Sequence, residues 1–92
     1  PAAYSASKGG LLSTTRWLST VLAPKVRVNM VSPGGIERGQ NPLFVERYNK
    51  RTPLGRMGKE SDLVGMGSLL LSPEGSYITG QHMLIDGGWT AW

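Results

Sequence analysis

The stretch Val26-Arg27-Val28-Asn29-Met30-Val31-Ser32-Pro33-Gly34-Gly35 decides the fold. Val26, Val28 and Met30 alternate with Arg27 and Asn29, which is the two-residue period of a strand, and β-branched side chains favour that conformation. Ser32-Pro33-Gly34-Gly35 then ends the strand in a turn. On the amino-terminal side, Leu11, Leu18, Val21 and Leu22, with Thr15 between them, recur at three- and four-residue steps. This spacing predicts a helix from Tyr4 to Ala23, stopped by Pro24.

On the other side, Asn41-Pro42 supplies a cap and a proline at the first helical position, so a short helix should run to about Lys50. Thr52-Pro53-Leu54-Gly55 breaks it. Glu60 and Asp62 place negative charge where a new helix would start, and Leu63, Met66, Leu69 and Leu70 form its buried stripe up to Ser72-Pro73. Gln81 to Ile85 reads as a second strand, closed by Asp86-Gly87-Gly88. Helix, strand, two helices and strand is the alternation of an α/β fold, an open parallel sheet with helices on its faces. Two parallel strands are marginal alone, so neighbours are expected from residues before Pro1 or from another chain.

Composition narrows the function classes. A hydrophobic fraction of 39% with 17% charged residues describes a globular chain rather than a disordered one. Without cysteine there is no disulfide and no thiolate metal site, which fits the cytoplasm. No apolar run approaches the ~18 residues of a spanning helix, so no membrane partner is expected. The chain starts at Pro1 without a charged region followed by an apolar stretch, so no signal peptide is expected within it, and it looks cut from something longer. The net charge of +4 suggests polyanions. However, Arg47, Lys50, Arg51, Arg56 and Lys59 are mixed with Glu46, Glu60 and Asp62, which describes a solvated surface and no nucleic-acid site. His82 has no second ligand at metal spacing, so no metal site is expected.

Tyr4-Ser5-Ala6-Ser7-Lys8 puts a phenol and an ammonium at i and i+4, one turn apart on one helix face. A free phenol titrates near pH ~10. A neighbouring cation favours the phenolate, so Tyr4 is a candidate for proton transfer near neutral pH.

Four segments in register strengthen this reading. They are Tyr4-x-x-x-Lys8, Val28-Asn29-Met30-Val31-Ser32-Pro33-Gly34, Pro53-Leu54-Gly55-Arg56-Met57-Gly58, and Tyr77-Ile78-Thr79-Gly80-Gln81 with Asp86-Gly87-Gly88. Together they resemble the last third of a short-chain dehydrogenase/reductase. The resemblance implies that residues 1–92 are the carboxyl-terminal part of one Rossmann-like, doubly wound parallel sheet, with about two strands and three helices. It implies an oxidoreductase that moves hydride between NAD or NADP and a small alcohol or carbonyl substrate. Tyr4 matches the general acid/base, and Lys8 matches the lysine that assists it and binds the nicotinamide ribose. Pro33, Gly34, Gly35 and Ile36 match the loop that lies against the nicotinamide ring, where glycine lets backbone approach a flat group. Where many members have a threonine that bonds the carboxamide, this chain has Glu37-Arg38, and backbone groups would have to substitute. The Gly-rich phosphate turn, the selector for the adenosine ribose and the catalytic serine would all precede Pro1.

The resemblance also implies a homodimer or homotetramer. Trp89 and Trp92 would be costly to leave in water and are expected at a subunit contact, and Trp17 either at another or in the core. Phe44 and Tyr48 either line a substrate mouth or form a local aromatic pair. The ending Gly87-Gly88-Trp89-Thr90-Ala91-Trp92 is similar to that of members linked to bacterial flagellin or surface-sugar modification. The competing reading is an inactive fragment or oligomerising module that binds no dinucleotide by itself.

Overall fold

The computed structural model describes all 92 residues. Helix α1 (Ala2–Val21) precedes strand β1 (Met30–Pro33) and helix α2 (Pro42–Arg51). A 3₁₀ turn (Glu60–Leu63) then leads into helix α3 (Val64–Leu71), followed by strand β2 (His82–Ile85) and a last 3₁₀ turn (Trp89–Ala91). The expected α/β order is therefore present. The two strands form one parallel sheet. The Met30 N–H donates to the Gln81 carbonyl at 2.9 Å and the Gly34 N–H to the Ile85 carbonyl at 2.8 Å, so partner numbers rise together. No helix is long and apolar enough to cross a membrane.

The chain divides into two compact units, residues 1–31 with 69–83, and residues 32–68 with 84–92. In the first, α1 buries only part of the stripe that reveals it, Thr15 fully and Leu18 halfway. Leu11, Val21 and Leu22 are exposed, whereas Thr15 and Ser19 are buried. Close approach explains the difference, because a Cβ at Gly80 would lie 2.7 Å from Ser19 Oγ, leaving room only for small side chains on that face. Both buried hydroxyls are satisfied within the helix, Thr15 on the Leu11 carbonyl (2.8 Å) and Ser19 on that of Arg16 (2.6 Å).

The first strand also starts later than its alternation predicts. Before Met30 side chains take over most of the pairing, and one backbone bond remains, from the Gly80 N–H to the Val28 carbonyl at 2.8 Å. Arg27 donates to the carbonyls of Ile78 (3.0 Å) and Leu70 (2.6 Å), and the Val28 N–H donates to Thr79 Oγ1 (3.0 Å). The Asn29 amide both donates to Ile78 O and accepts from Gln81 N–H. Regular backbone pairing is thereby confined to the short strand that follows.

In the second unit, α2 forms as its signals require. Asn41 Oδ1 accepts the Leu43 N–H at 2.8 Å, and Pro42 opens the helix. The helix expected from Glu60 is split, because its first turn is 3₁₀. Asp62 contributes to this by turning its carboxylate back onto the Lys59 N–H at 2.7 Å. The expected stripe of Leu63, Met66, Leu69 and Leu70 is half-buried rather than buried, since two strands offer little surface to cover it.

After β2, Gly87 and Gly88 adopt positive φ (64° and 93°) and dock on the segment that follows α2. The Gly87 carbonyl accepts the Leu54 N–H at 3.0 Å, and a Cβ on Gly88 would lie 2.8 Å from Pro53 Cγ. Gly39 has φ 76° but open space around it, so the two positions separate backbone strain from collision. Gly39→Ala should cost about 1–2 kcal/mol for the left-handed backbone alone. Gly88→Ala should cost at least ~1 kcal/mol more for the clash. Denaturant midpoints measure both, and equal losses would mean that Pro53 yields.

Candidate active site

Helix α1 places Tyr4 and Lys8 on one face, as their spacing requires. Lys8 Nζ lies 5.8 Å from the centroid of the Tyr4 ring. Tyr4 is 62% exposed, and its backbone carbonyl accepts the Ser7 hydroxyl at 2.9 Å. A phenol and an ammonium within reach of one another on a rigid helix can handle a proton at an oxygen bound nearby.

The loop Pro33-Gly34-Gly35-Ile36 lies in the second unit, at the carboxyl end of β1. Its glycines are needed by the protein itself. A Cβ on Gly34 would fall 2.8 Å from Asp86 Cα, and one on Gly35 would fall 2.6 Å from the Tyr48 ring. The Gly35 N–H donates to Tyr48 Oη at 2.6 Å, and the Gly35 carbonyl accepts the Gly58 N–H at 2.8 Å. The Glu37 N–H returns to the Gly58 carbonyl at 2.9 Å, completing a parallel bridge between Ile36 and Gly58. In such a bridge the N–H and C=O of Ile36 face away from Gly58. That carbonyl accepts Gln40 Nε2 at 2.9 Å.

Beside the loop is a cavity of about 150 Å³, lined among others by Gly35, Ile36, Tyr48, Leu63 and Ile85. Its polar edge is Arg56, whose guanidinium grips both oxygens of Asp62 at 2.7 and 3.0 Å. Hydrogen bonding to Arg56, then to the Lys59 N–H, lowers the Asp62 pKa to about 2. Asp86 is also held below the usual carboxylate range, chiefly by the Thr90 hydroxyl at 2.7 Å and the Gly88 N–H at 2.9 Å.

Phe44 and Tyr48 form the local aromatic pair, with centroids 6.1 Å apart. Tyr48 is further stacked on Trp89 at 4.2 Å, and the Arg51 guanidinium sits 4.9 Å from the Trp89 ring. Trp89, expected at a subunit contact, is thus engaged within its own chain. Trp92 and Trp17 are exposed in this chain. Among the basic residues, Arg38 pairs with Glu60 at 3.2 Å and Lys50 with Glu46 at 3.6 Å. Sequence reading missed the Tyr48–Gly35 and Arg56–Asp62 contacts. Neither pair has a spacing tied to a regular element, and only the glycine pair 34–35 hinted at close approach.

The Asp62 contact has a definite pH signature. A carboxylate whose folded pKa is depressed contributes stability that is fully present above the unfolded value of 3.8 and lost as pH falls through about 2. Thermal midpoints should therefore separate wild type from Asp62→Asn by a constant margin at neutral pH. The margin should shrink between pH 3.8 and about 2. A margin independent of pH across that window would contradict the assignment.

The family model described as enoyl-(acyl carrier protein) reductase matches residues 1–90. A galactitol 2-dehydrogenase (L-tagatose-forming) of Cereibacter sphaeroides is 36% identical over 97% of this chain and 38% of its own length. The 3-oxoacyl-[acyl-carrier-protein] reductase FabG of Thermotoga maritima is 39% identical over 92% of this chain and 37% of its own length. A crystal structure of a short chain dehydrogenase from Leptospira borgpetersenii with bound NAD+ superposes with a TM-score of 0.91. It is 47% identical over 98% of this chain and 36% of that one. The chain therefore spans a little over a third of the length of these relatives. With the family model covering nearly every residue and the fold matching at this level, the chain belongs to the short-chain dehydrogenase/reductase family.

Proposed function

We propose that this chain is the substrate-side portion of an NAD(P)-dependent oxidoreductase that interconverts a small alcohol and its carbonyl. The observation that carries the reading is the Tyr4–Lys8 pair, held on one face of α1 in a chain of this family. It is supported by relatives that include a dehydrogenase and a reductase, and by a structural neighbour with bound NAD+.

Bound to the whole protein, NAD or NADP accepts or supplies the hydride. Tyr4 gives a proton to the substrate oxygen in the reducing direction and takes it back in the oxidising one. Lys8 carries the positive charge that stabilises the phenolic oxygen once its proton has left, and its ammonium donates to the ribose hydroxyls. Pro33, Gly34, Gly35 and Ile36 form the ring-binding loop. With Glu37-Arg38 in place of a threonine, and Arg38 paired with Glu60, the outward-facing N–H of Ile36 is the group assigned to the carboxamide. The phosphate-binding turn and a catalytic serine fall to sequence outside these residues. Cytoplasmic action fits the chain's lack of cysteine. Trp17 and Trp92 are the exposed tryptophans that a homodimer or homotetramer would cover.

In the whole protein, Tyr4→Phe should lower turnover at least about a hundredfold. Its dinucleotide affinity, read by NADH fluorescence titration, should stay within about twofold of wild type. Lys8→Ala should weaken both. Equal, mild losses in the two variants would reject these roles.

A further inference from the structure

We infer that Tyr48 is a positioning residue for the dinucleotide, acting through the Gly35 amide rather than by touching the cofactor. The inference rests on the ring-binding role proposed for the Pro33–Ile36 loop. Two features of Gly35 point to it. Its N–H donates to Tyr48 Oη at 2.6 Å, and the place a Cβ would take is filled by the ring carbons and hydroxyl of Tyr48 at 2.6–2.8 Å. Glycine and tyrosine are therefore matched to each other, one lacking the atom that the other displaces.

The contact fixes the direction of the peptide groups that follow. The Gly35 carbonyl is held by the Gly58 N–H and the Glu37 N–H by the Gly58 carbonyl. With the Gly35 N–H pinned from the other side by Tyr48, the loop is clamped at both faces of one residue, and the backbone of Ile36 is turned to a single side. Tyr48 is itself immobilised, stacked on Trp89 at an interplanar angle of 13°, with Arg51 against the far partner. A loop so held is already ordered before a ligand arrives, and apparent affinity falls in proportion to any loss of the competent population.

The test uses Tyr48→Phe, which keeps the ring and removes the acceptor, and Gly35→Ala, which breaks the same contact from the other side. In the whole protein, hydrogen exchange of the peptide containing Gly35 should speed up in both variants. The NADH dissociation constant should rise about three- to tenfold, the range expected for one lost hydrogen bond. Because one contact is broken twice, the double variant should be no worse than the worse single one. Faster exchange with unchanged NADH affinity would overturn the positioning role while leaving the oxidoreductase reading intact. Unchanged exchange in Tyr48→Phe would overturn the clamp itself. A wild-type protein that binds neither NADH nor NADPH would remove the oxidoreductase reading, and this inference with it.

Discussion

Parallel pairing of Met30–Pro33 with His82–Ile85 is the constraint on which the rest of the chain depends. Parallel neighbours cannot be joined by a tight turn, so the chain between them must leave the end of one strand and return to the start of the other. The intervening helices α2 and α3 are the product of that journey. The same register puts two glycine-containing turns, Pro33-Gly34-Gly35 and Asp86-Gly87-Gly88, at the carboxyl ends of their strands. In open α/β sheets that is the end where ligands bind. Backbone also passes close to backbone there, as Gly34 does against Asp86.

Few apolar side chains are buried in this chain; Met30 and Met57 are the ones that are. Much of the local order therefore comes from directed polar contacts. Arg27 joins the last turn of α3 to Ile78, placing a cation at a helix carboxyl end, where the dipole favours it. Thr52, buried, turns its hydroxyl back to the Tyr48 carbonyl at 2.8 Å, and Asn49 Oδ1 accepts the Met57 N–H at 3.0 Å. Each such bond contributes roughly 0.5–1.5 kcal/mol, more when charged, and fixes geometry that dispersion alone would leave loose.

The element order was legible because each boundary carries its own local chemistry. Asn41-Pro42 starts a helix whatever surrounds it, and Asp86-Gly87-Gly88 ends a strand because its glycines accept positive φ. What could not be read was set by distant partners. Nothing near Ser19 announces that Gly80 will press against it, so the periodic residues of α1 pointed to the helix and to Thr15 but not to the burial of Ser19. Nothing near Val28 announces that Thr79 will take its N–H, so the strand was read too early. At the candidate site, Tyr4 and Lys8 were legible because a helix brings i and i+4 together without outside help. Tyr48 was not, because its partner Gly35 lies in another element.

The loop after β1 combines these two kinds of specification. Its glycines invite the reading that a ligand needs the space, yet Asp86 and Tyr48 occupy it. In the ring-binding role proposed for the loop, a ligand would meet it through peptide groups whose orientation internal contacts have already set. Under that proposal the arrangement would suit a site where Glu37-Arg38 stands in place of a side-chain donor. A hydroxyl can rotate to meet its partner, whereas a backbone N–H is only as well aimed as the chain that carries it. The tighter the anchoring of Gly35 and Glu37 on Gly58, the less the absence of that hydroxyl costs.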